Sequence, residues 1–324
     1  MAYITSLDIE RIVGSRISSS VLKDSKCLAE RVDIHFPLKY RELKPKLSSD
    51  GQHESKDYLN SIEYELSKDL KVAGGHRHND WESGWAENRD EFKKTKNIES
   101  LIPKYHTRPI KFSRYDGRIV IPESPLFDYR LNSFIVDGII SDKICHTEFN
   151  LKVFEFGCGT GHHLLRLKEY FDITSNLKWF GLDWATSSQD ILNGLETYWP
   201  EVVRGHNFDF FSPDYGIDCS DSLVYTVASL EQIGSKHEEL IQYWLKNKPA
   251  LVVNFEPIKE VLDENNPLDK LSLMYMDKRG YLDGYLTRLQ QLEKEGKLEI
   301  QDVRRFYCGS QFIEGHTCII WKPL

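Results

Sequence analysis

The run Val153-Phe154-Glu155-Phe156 leads straight into Gly157-Cys158-Gly159-Thr160-Gly161 and then into His162-His163-Leu164-Leu165-Arg166-Leu167. A short apolar run is the signature of a buried strand, and the last segment opens a helix. Glycines at every second position allow the backbone between them dihedrals that a side chain would forbid. A strand, a glycine turn and a helix in direct succession demand an open α/β sheet. In such sheets ligands bind at the carboxyl edge of the strands, where this turn lies.

The rest of the chain agrees with that demand. From Leu151 onward, short apolar runs alternate with longer amphipathic stretches, the pattern of helices laid on both faces of a mostly parallel sheet. Strands are predicted at 153–156, 179–182, 223–227 and 251–255, with a short one at 202–207. Two more runs, Leu298 to Phe306 and Thr317 to Trp321, are joined by a ten-residue connection with two glycines, which predicts an antiparallel hairpin. The division expected is an extension over residues 1–145, mainly helical, followed by the α/β domain over 146–324. Within the extension, Leu59, Ile62, Leu66 and Leu70 have helical spacing, whereas Leu43 to Lys56 is polar and predicted to be a mobile loop.

Charge and cysteine usage narrow the setting. The formal net charge is −8, and residues 1–150 are close to neutral, so the excess acid lies in the second half. A nucleic-acid partner is therefore not expected, because a protein gripping a phosphate backbone presents a net-basic face. No apolar run approaches the roughly 20 residues of a membrane span. Asp8, Glu10 and Arg11 interrupt the first residues, against a secretory leader. Six cysteines without a C-x-x-C pair predict a reduced, cytoplasmic setting. No metal is expected: His76, His78 and Asp80 lack a fourth ligand at recognisable spacing.

Spacing identifies the ligand of the glycine turn. A dinucleotide dehydrogenase places its third glycine or an alanine where this chain has His162; here the third glycine comes one residue early, at Gly161, giving G-x-G-x-G. Glu155, two positions before Gly157, would be unhelpful beside a pyrophosphate but suits a cation. Asp183 ends the second predicted strand 26 residues after Gly157, where a carboxylate accepts from both ribose hydroxyls. Asn207-Phe208-Asp209-Phe210 follows the third. Together with the closing hairpin, these residues make positions 150–324 resemble the class I S-adenosylmethionine-dependent methyltransferases, whose fold is a Rossmann-like seven-stranded sheet. The resemblance implies S-adenosyl-L-methionine as cofactor, held by Glu155, Gly157, Gly159, Gly161, Asp183, Asp209 and Phe210. Asp209 would meet the adenine amino group and Phe210 would cover the ring. More weakly, Asn254-Phe255-Glu256-Pro257-Ile258 and the tail through Trp321-Lys322-Pro323 are similar to bacterial methyltransferases of surface-glycan or natural-product assembly.

Methyl transfer is an in-line displacement, so alignment and desolvation come first, and a base is needed only when the acceptor must lose a proton. Catalytic groups are expected on the loops after the fourth and fifth strands, Ser229 to Ile233 and Asn254 to Ile258. The leading candidates are His237 and Glu256, with His316 third. His237 equally suits the start of a helix facing water, Glu256 a helix cap, and His316 a solvated turn. Tyr275, Tyr281 and Tyr285 suit either an acceptor pocket or the core. Lys104 to Arg118 interleaves cations and aromatics and suits either a lid or a solvated linker; Trp81 and Trp85 are expected to pack a helix face. The acceptor expected is a small molecule or glycan, methylated on oxygen. The alternatives are a protein or nucleic-acid methyltransferase, a non-catalytic cofactor-binding regulator and, last, a dehydrogenase. Oligomeric state is not readable from the sequence.

Overall fold

The computed structural model describes residues 2–4, 38–42, 49–171, 176–195 and 203–324. The readings made on the first residues, on Cys27, on residues 43–48 and on part of the 172–178 loop lie outside these.

The N-terminal part combines helices with a small sheet that the sequence reading did not identify. Strands β1 (Ala2–Ile4), β2 (Leu38–Glu42), β3 (Ser113–Tyr115) and β4 (Arg118–Pro122) pair antiparallel in the order β1-β2-β4-β3. Helices α1 (Ser49–Ser67), α2 (His78–Thr95) and α3 (Phe127–His146) accompany them. Residues 49–56, expected in a loop, are the first turns of α1: the helix extends amino-terminally past its apolar stripe through a polar segment. Helix α3 is buried along most of its length, with Leu131, Ile135, Val136, Ile139 and Ile140 in the main core. A helix apolar on most sides lies inside a protein rather than on its surface.

The α/β part has the predicted elements within one or two residues of the expected ends. Its strands are β5 (Lys152–Phe156), β6 (Lys178–Asp183), β7 (Val203–Asn207), β8 (Leu223–Val227), β9 (Leu251–Glu256), β10 (Leu298–Arg305) and β12 (Thr317–Pro323), with the two-residue β11 (Gly309–Ser310) between the last two. They form a seven-stranded sheet in the order β10-β12-β9-β8-β5-β6-β7. Strands β5 to β9 pair parallel, and β12 runs antiparallel to both β9 and β10. All six residues of β9 are buried, as a central parallel strand covered on both faces requires. The helices are α4 (His162–Tyr170), α5 (Thr186–Leu195), α6 (Glu238–Asn247), α7 (Pro267–Arg279) and α8 (Tyr285–Lys294). The fold is α/β and Rossmann-like, with the predicted antiparallel closure.

Two features position the site. The chain builds β5, β6 and β7 outward in one direction and returns to place β8 on the other side of β5. The sheet therefore reverses direction between β5 and β8, and a crevice opens at their carboxyl ends. The second feature is the β10–β12 connection, which is more than a hairpin loop. Gly309 and Ser310 pair with Arg114 and Ser113 and add β11 to the small sheet. Arg305 pins this connection by ion pairs to Glu314 (2.6 Å) and Asp269 (2.9 Å). The connection ends at His316, which faces the crevice from its far side.

Candidate functional site

A cavity of about 560 Å³ occupies that crevice, within the roughly 300–1,000 Å³ typical of small-molecule sites. Its floor is the glycine turn. Gly157 and Gly159 have φ of +71° and +54°, in the left-handed region that favours glycine. A Cβ at Gly157 would lie 2.4 Å from Ser229 Cβ, and one at Gly159 would lie 3.0 Å from the Trp85 ring. Both turns therefore accommodate a close neighbour as well as an unusual dihedral. Gly161 is the N-cap of α4 at φ +73° and does not line the cavity; its role is to turn the chain into the helix.

Glu155 and Asp183 both line the cavity. Glu155 Oε2 accepts from Leu164 N (3.1 Å) and from the Tyr225 hydroxyl (3.1 Å), so it ties strand β5 to the start of α4. Burial pushes its carboxyl up to about 8, against the lowering effect of those two donors. Asp183 Oδ2 accepts from Gly159 N (2.9 Å) and Oδ1 from Ala185 N (2.9 Å). Each oxygen keeps a second lone pair. Burial raises this carboxyl to about 6, with the two amides pulling the other way. Trp184, Phe208, Phe210 and Phe211 continue the lining beside it. Asp209 is not part of the lining. Its Oδ1 accepts from Phe211 N (2.9 Å), the local turn that aspartate readily forms, so the aromatic neighbours of the expected acid-aromatic step face the cavity and the acid does not.

The amino-terminal part forms the opposite wall. Arg77, Trp81 and Trp85, at the start of α2 and on it, line the cavity together with Tyr105, His106 and Arg108. Trp81 and Trp85 stack at 5.3 Å and were expected merely to pack a helix face. Helix α2 is fixed to α5 by an ion pair from Arg89 to Asp190 (3.2 Å) and by hydrogen bonds from Ser187 to Glu82. The strip Lys104 to Arg118 divides. Its first part reaches the site, whereas Arg114 is buried on Ser272 Oγ (2.7 Å) and Phe312 O (3.0 Å), and Lys111 and Arg118 pair with Asp57 and Glu42.

Neutral histidines occupy the part of the lining nearest α4. Thr160 Oγ1 donates to Leu101 O (2.6 Å), so it accepts from His162 Nδ1 (3.1 Å). That tautomer leaves His162 Nε2 as an acceptor; the atom is buried and has no hydrogen-bond partner. Burial, with Arg166 nearby, holds His162 and His163 well below the usual histidine range. His316 lines the cavity with neither ring nitrogen hydrogen-bonded, and burial lowers it to about 4.

The other two catalytic candidates stand behind the wall. His237 is the N-cap residue of α6; it is buried rather than facing water, and its Nε2 lies 3.0 Å from Asp283 O. Glu256 is fully buried, and its Oε1 accepts from Ser229 N (3.1 Å). Burial and the charge of Glu231 push Glu256 up to about 8. It does not cap the 3-10 turn that follows Pro257: it turns back to the loop after β8, at the amino end of the 3-10 turn Leu230–Ile233. Neither residue lines the cavity. Glu231, within the loop the sequence singled out, does line it, and so do Tyr275, Arg279 and Tyr281. Gln232 Nε2 donates to Glu231 Oε1 (2.8 Å), and Arg77 Nη1 donates to Gln232 Oε1 (3.1 Å). Burial raises Glu231 to about 7, against the lowering influence of Gln232, Arg279, Tyr281 and Arg77. Tyr285 is core, its hydroxyl donating to Asn254 Oδ1 (2.8 Å). Among the described residues no group of three or more His, Cys, Asp or Glu could hold a metal ion, and no helix is long and apolar enough to cross a membrane.

Comparison of the sequence with protein-family models and with curated proteins finds no match. Among solved structures the chain is similar to the [4+2]-cyclase SpnF, at 12% identity and a TM-score of 0.44, covering 72% of this chain and 95% of that one. It is also similar to a putative sarcosine dimethylglycine methyltransferase from Galdieria sulphuraria (12%, 0.43, covering 59% and 87%). A third is the magnesium protoporphyrin IX methyltransferase of Synechocystis PCC 6803 with bound SAH (11%, 0.41, covering 60% and 83%). At these identities and scores the likeness concerns the fold and carries nothing about reaction or substrate.

Proposed function

We propose that this chain is an S-adenosylmethionine-dependent methyltransferase acting on the hydroxyl of a small molecule. The observation that carries the reading is the meeting, on one cavity, of the G-x-G-x-G turn, the strand-end carboxylate Asp183 and the aromatic residues Trp184 and Phe210. Asp183 would accept from the ribose hydroxyls, and Trp184 and Phe210 would flank the adenine. Glu155 and the free Nε2 of His162 would receive the ammonium of the methionine end. Helix α2 and residues 105–108, within the extension 1–145, would act as the substrate lid.

The acceptor end of the reading lies around Glu231. As the acceptor oxygen bonds to the methyl carbon, its proton passes to a Glu231 carboxylate oxygen. S-adenosylmethionine would supply the methyl group, the carbon–sulfur electron pair staying on sulfur so that the neutral thioether departs. A carboxyl raised to about 7 is suited to this task at neutral pH. Glu231→Gln is expected to slow transfer by roughly 10²- to 10⁴-fold. The check is transfer of labelled methyl from S-adenosylmethionine into fractionated cell extract. The label should enter the small-molecule fraction. Label confined to protein or nucleic acid would replace this reading by a macromolecular methyltransferase. Binding without transfer to any fraction would replace it by a regulatory module.

The raised Glu155 gives a second expectation. Near pH 7 its carboxyl is mostly protonated in the free protein, and an ammonium bound beside it favours the carboxylate. Cofactor binding should therefore release up to about one proton per site, and the release should vanish above about pH 9. Calorimetry in two buffers of different ionisation enthalpy measures it. Proton uptake at pH 7, or a release unchanged in Glu155→Gln, would remove Glu155 from the ammonium site.

A further inference from the structure

The cavity lining also includes a cation, Arg279, that the contacts proposed above for the cofactor leave unassigned. Arg279 is the last residue of α7, and its guanidinium stands 5.1 Å from the Tyr281 ring centroid. Its Nε is buried and has no hydrogen-bond partner. Arg279 is half-buried, and a buried Nε–H without an acceptor carries a cost that an incoming acceptor would remove; the group offers a planar fork suited to a carboxylate. Glu231 acts on Arg279 only through space.

Arg77 differs from Arg279 in being engaged already. Its Nε pairs with Asp80 (3.2 Å) and its Nη1 donates to Gln232 (3.1 Å), so it is oriented toward the same region with its charge partly met. Arg279, which meets the Tyr281 side chain but leaves its Nε without an acceptor, and the partly met Arg77 together fit a single negative charge better than two. The walls here are flat: Tyr275 stacks on Phe312 at 5.2 Å with planes 9° apart, and meets Tyr281 edge-on at 6.2 Å. Glu231, Tyr275, Arg279 and Tyr281 line the cavity together with the loop after β8.

Resting on the methyltransferase reading, we propose that the acceptor is a small, planar, hydroxylated carboxylate whose negative group is bound by Arg279 with support from Arg77. Pairing of that carboxylate with Arg279 has a consequence for the reaction. Arg279 now favours the ionised form of Glu231, and once the guanidinium is neutralised by the acceptor, Glu231 holds a proton more strongly. The bound substrate should thereby shift the pH dependence of transfer upward.

The test uses protein first saturated with S-adenosylhomocysteine, titrated with benzoate and with its uncharged counterpart benzamide. Quenching of the cavity tryptophans, Trp81, Trp85 and Trp184, reports binding. Benzoate should bind at least about tenfold more tightly than benzamide, a difference of about 1.4 kcal/mol. Arg279→Gln should abolish the preference and leave S-adenosylhomocysteine affinity unchanged, whereas Arg279→Lys, which keeps the charge, should retain part of it. A melting curve for each variant separates lost binding from lost folding. Equal binding of the two compounds, binding of neither, or a benzoate preference that survives Arg279→Gln overturns the proposal. So does a loss of S-adenosylhomocysteine affinity in Arg279→Gln, which would assign the guanidinium to the cofactor. If wild type does not bind S-adenosylhomocysteine at all, the underlying methyltransferase reading fails instead.

Discussion

Asp183→Ala is expected to weaken S-adenosylmethionine binding by roughly 100- to 1,000-fold, the loss of two hydrogen bonds to a charged acceptor at about 1.5–2 kcal/mol each. Both carboxylate oxygens already hold a backbone amide, Gly159 N and Ala185 N, and each has one lone pair left for a ribose hydroxyl. The substitution also strands those amides, so a loss of stability of about 2 kcal/mol should accompany the loss of affinity. The wild-type affinity should depend on pH with a definite sign. Burial places the carboxyl at about 6, so the Asp183 share of the affinity should weaken as the pH falls through that value and the carboxylate is protonated, below the window of about pH 7 to 9 in which Glu155 makes affinity rise with pH. Affinity that stays constant from pH 8 down to pH 5 would show that Asp183 does not receive the ribose.

Gly157→Ala is expected to cost more than any other single methyl in the turn. The added Cβ would lie 2.4 Å from Ser229 Cβ and 3.1 Å from Phe210 Cζ, at φ +71°. Ser229 has little room to retreat: Glu256 accepts from its amide and its own hydroxyl donates to Phe156 O (3.1 Å). Strain at a left-handed residue accounts for about 1–2 kcal/mol, and the overpacking for about 1–3 kcal/mol more. Gly296→Ala supplies the control, because Gly296 has φ +70° and nothing within 4 Å of its added Cβ. Urea unfolding of the two variants should therefore differ by at least about 1 kcal/mol, with cofactor binding lost only in Gly157→Ala. Equal stabilities would mean that the loop after β8 is not held as described.

What was legible in the sequence was what depends on local pattern. The strands of the large sheet, the glycine turn and Asp183 follow from short-range periodicity and strand ends, and all appear where expected. The small sheet was not legible, because pairing of Gly309 and Ser310 with Arg114 and Ser113 joins segments almost two hundred residues apart. Long-range contact also hid the amino-terminal wall of the cavity. Trp81 and Trp85 have the spacing of an ordinary packed helix face, and only the docking of α2 onto α5 brings Trp85 over Gly159 and both rings onto the cavity. His237 and Glu256 were sensible choices by residue type, but the direction of a side chain at a strand end or helix cap is set by neighbours that no local pattern reveals. Glu256 turned back to Ser229, and His237 to Asp283. Glu231, the proposed base, lies four residues past β8 in the loop where catalytic groups were expected, but the direction of its side chain into the cavity is not readable from local spacing. Asp209, expected to meet the adenine amino group, closes a local turn on Phe211 N, a contact set by its spacing to Phe211.

Titration calorimetry with S-adenosylmethionine, S-adenosylhomocysteine and NAD, on wild type and Asp183→Ala, tests the central claim most directly. The account predicts that wild type binds both sulfur compounds at a single site, does not bind NAD, and loses both sulfur compounds in Asp183→Ala. Wild-type protein that binds neither sulfur compound, or that binds NAD in preference to them, would contradict it.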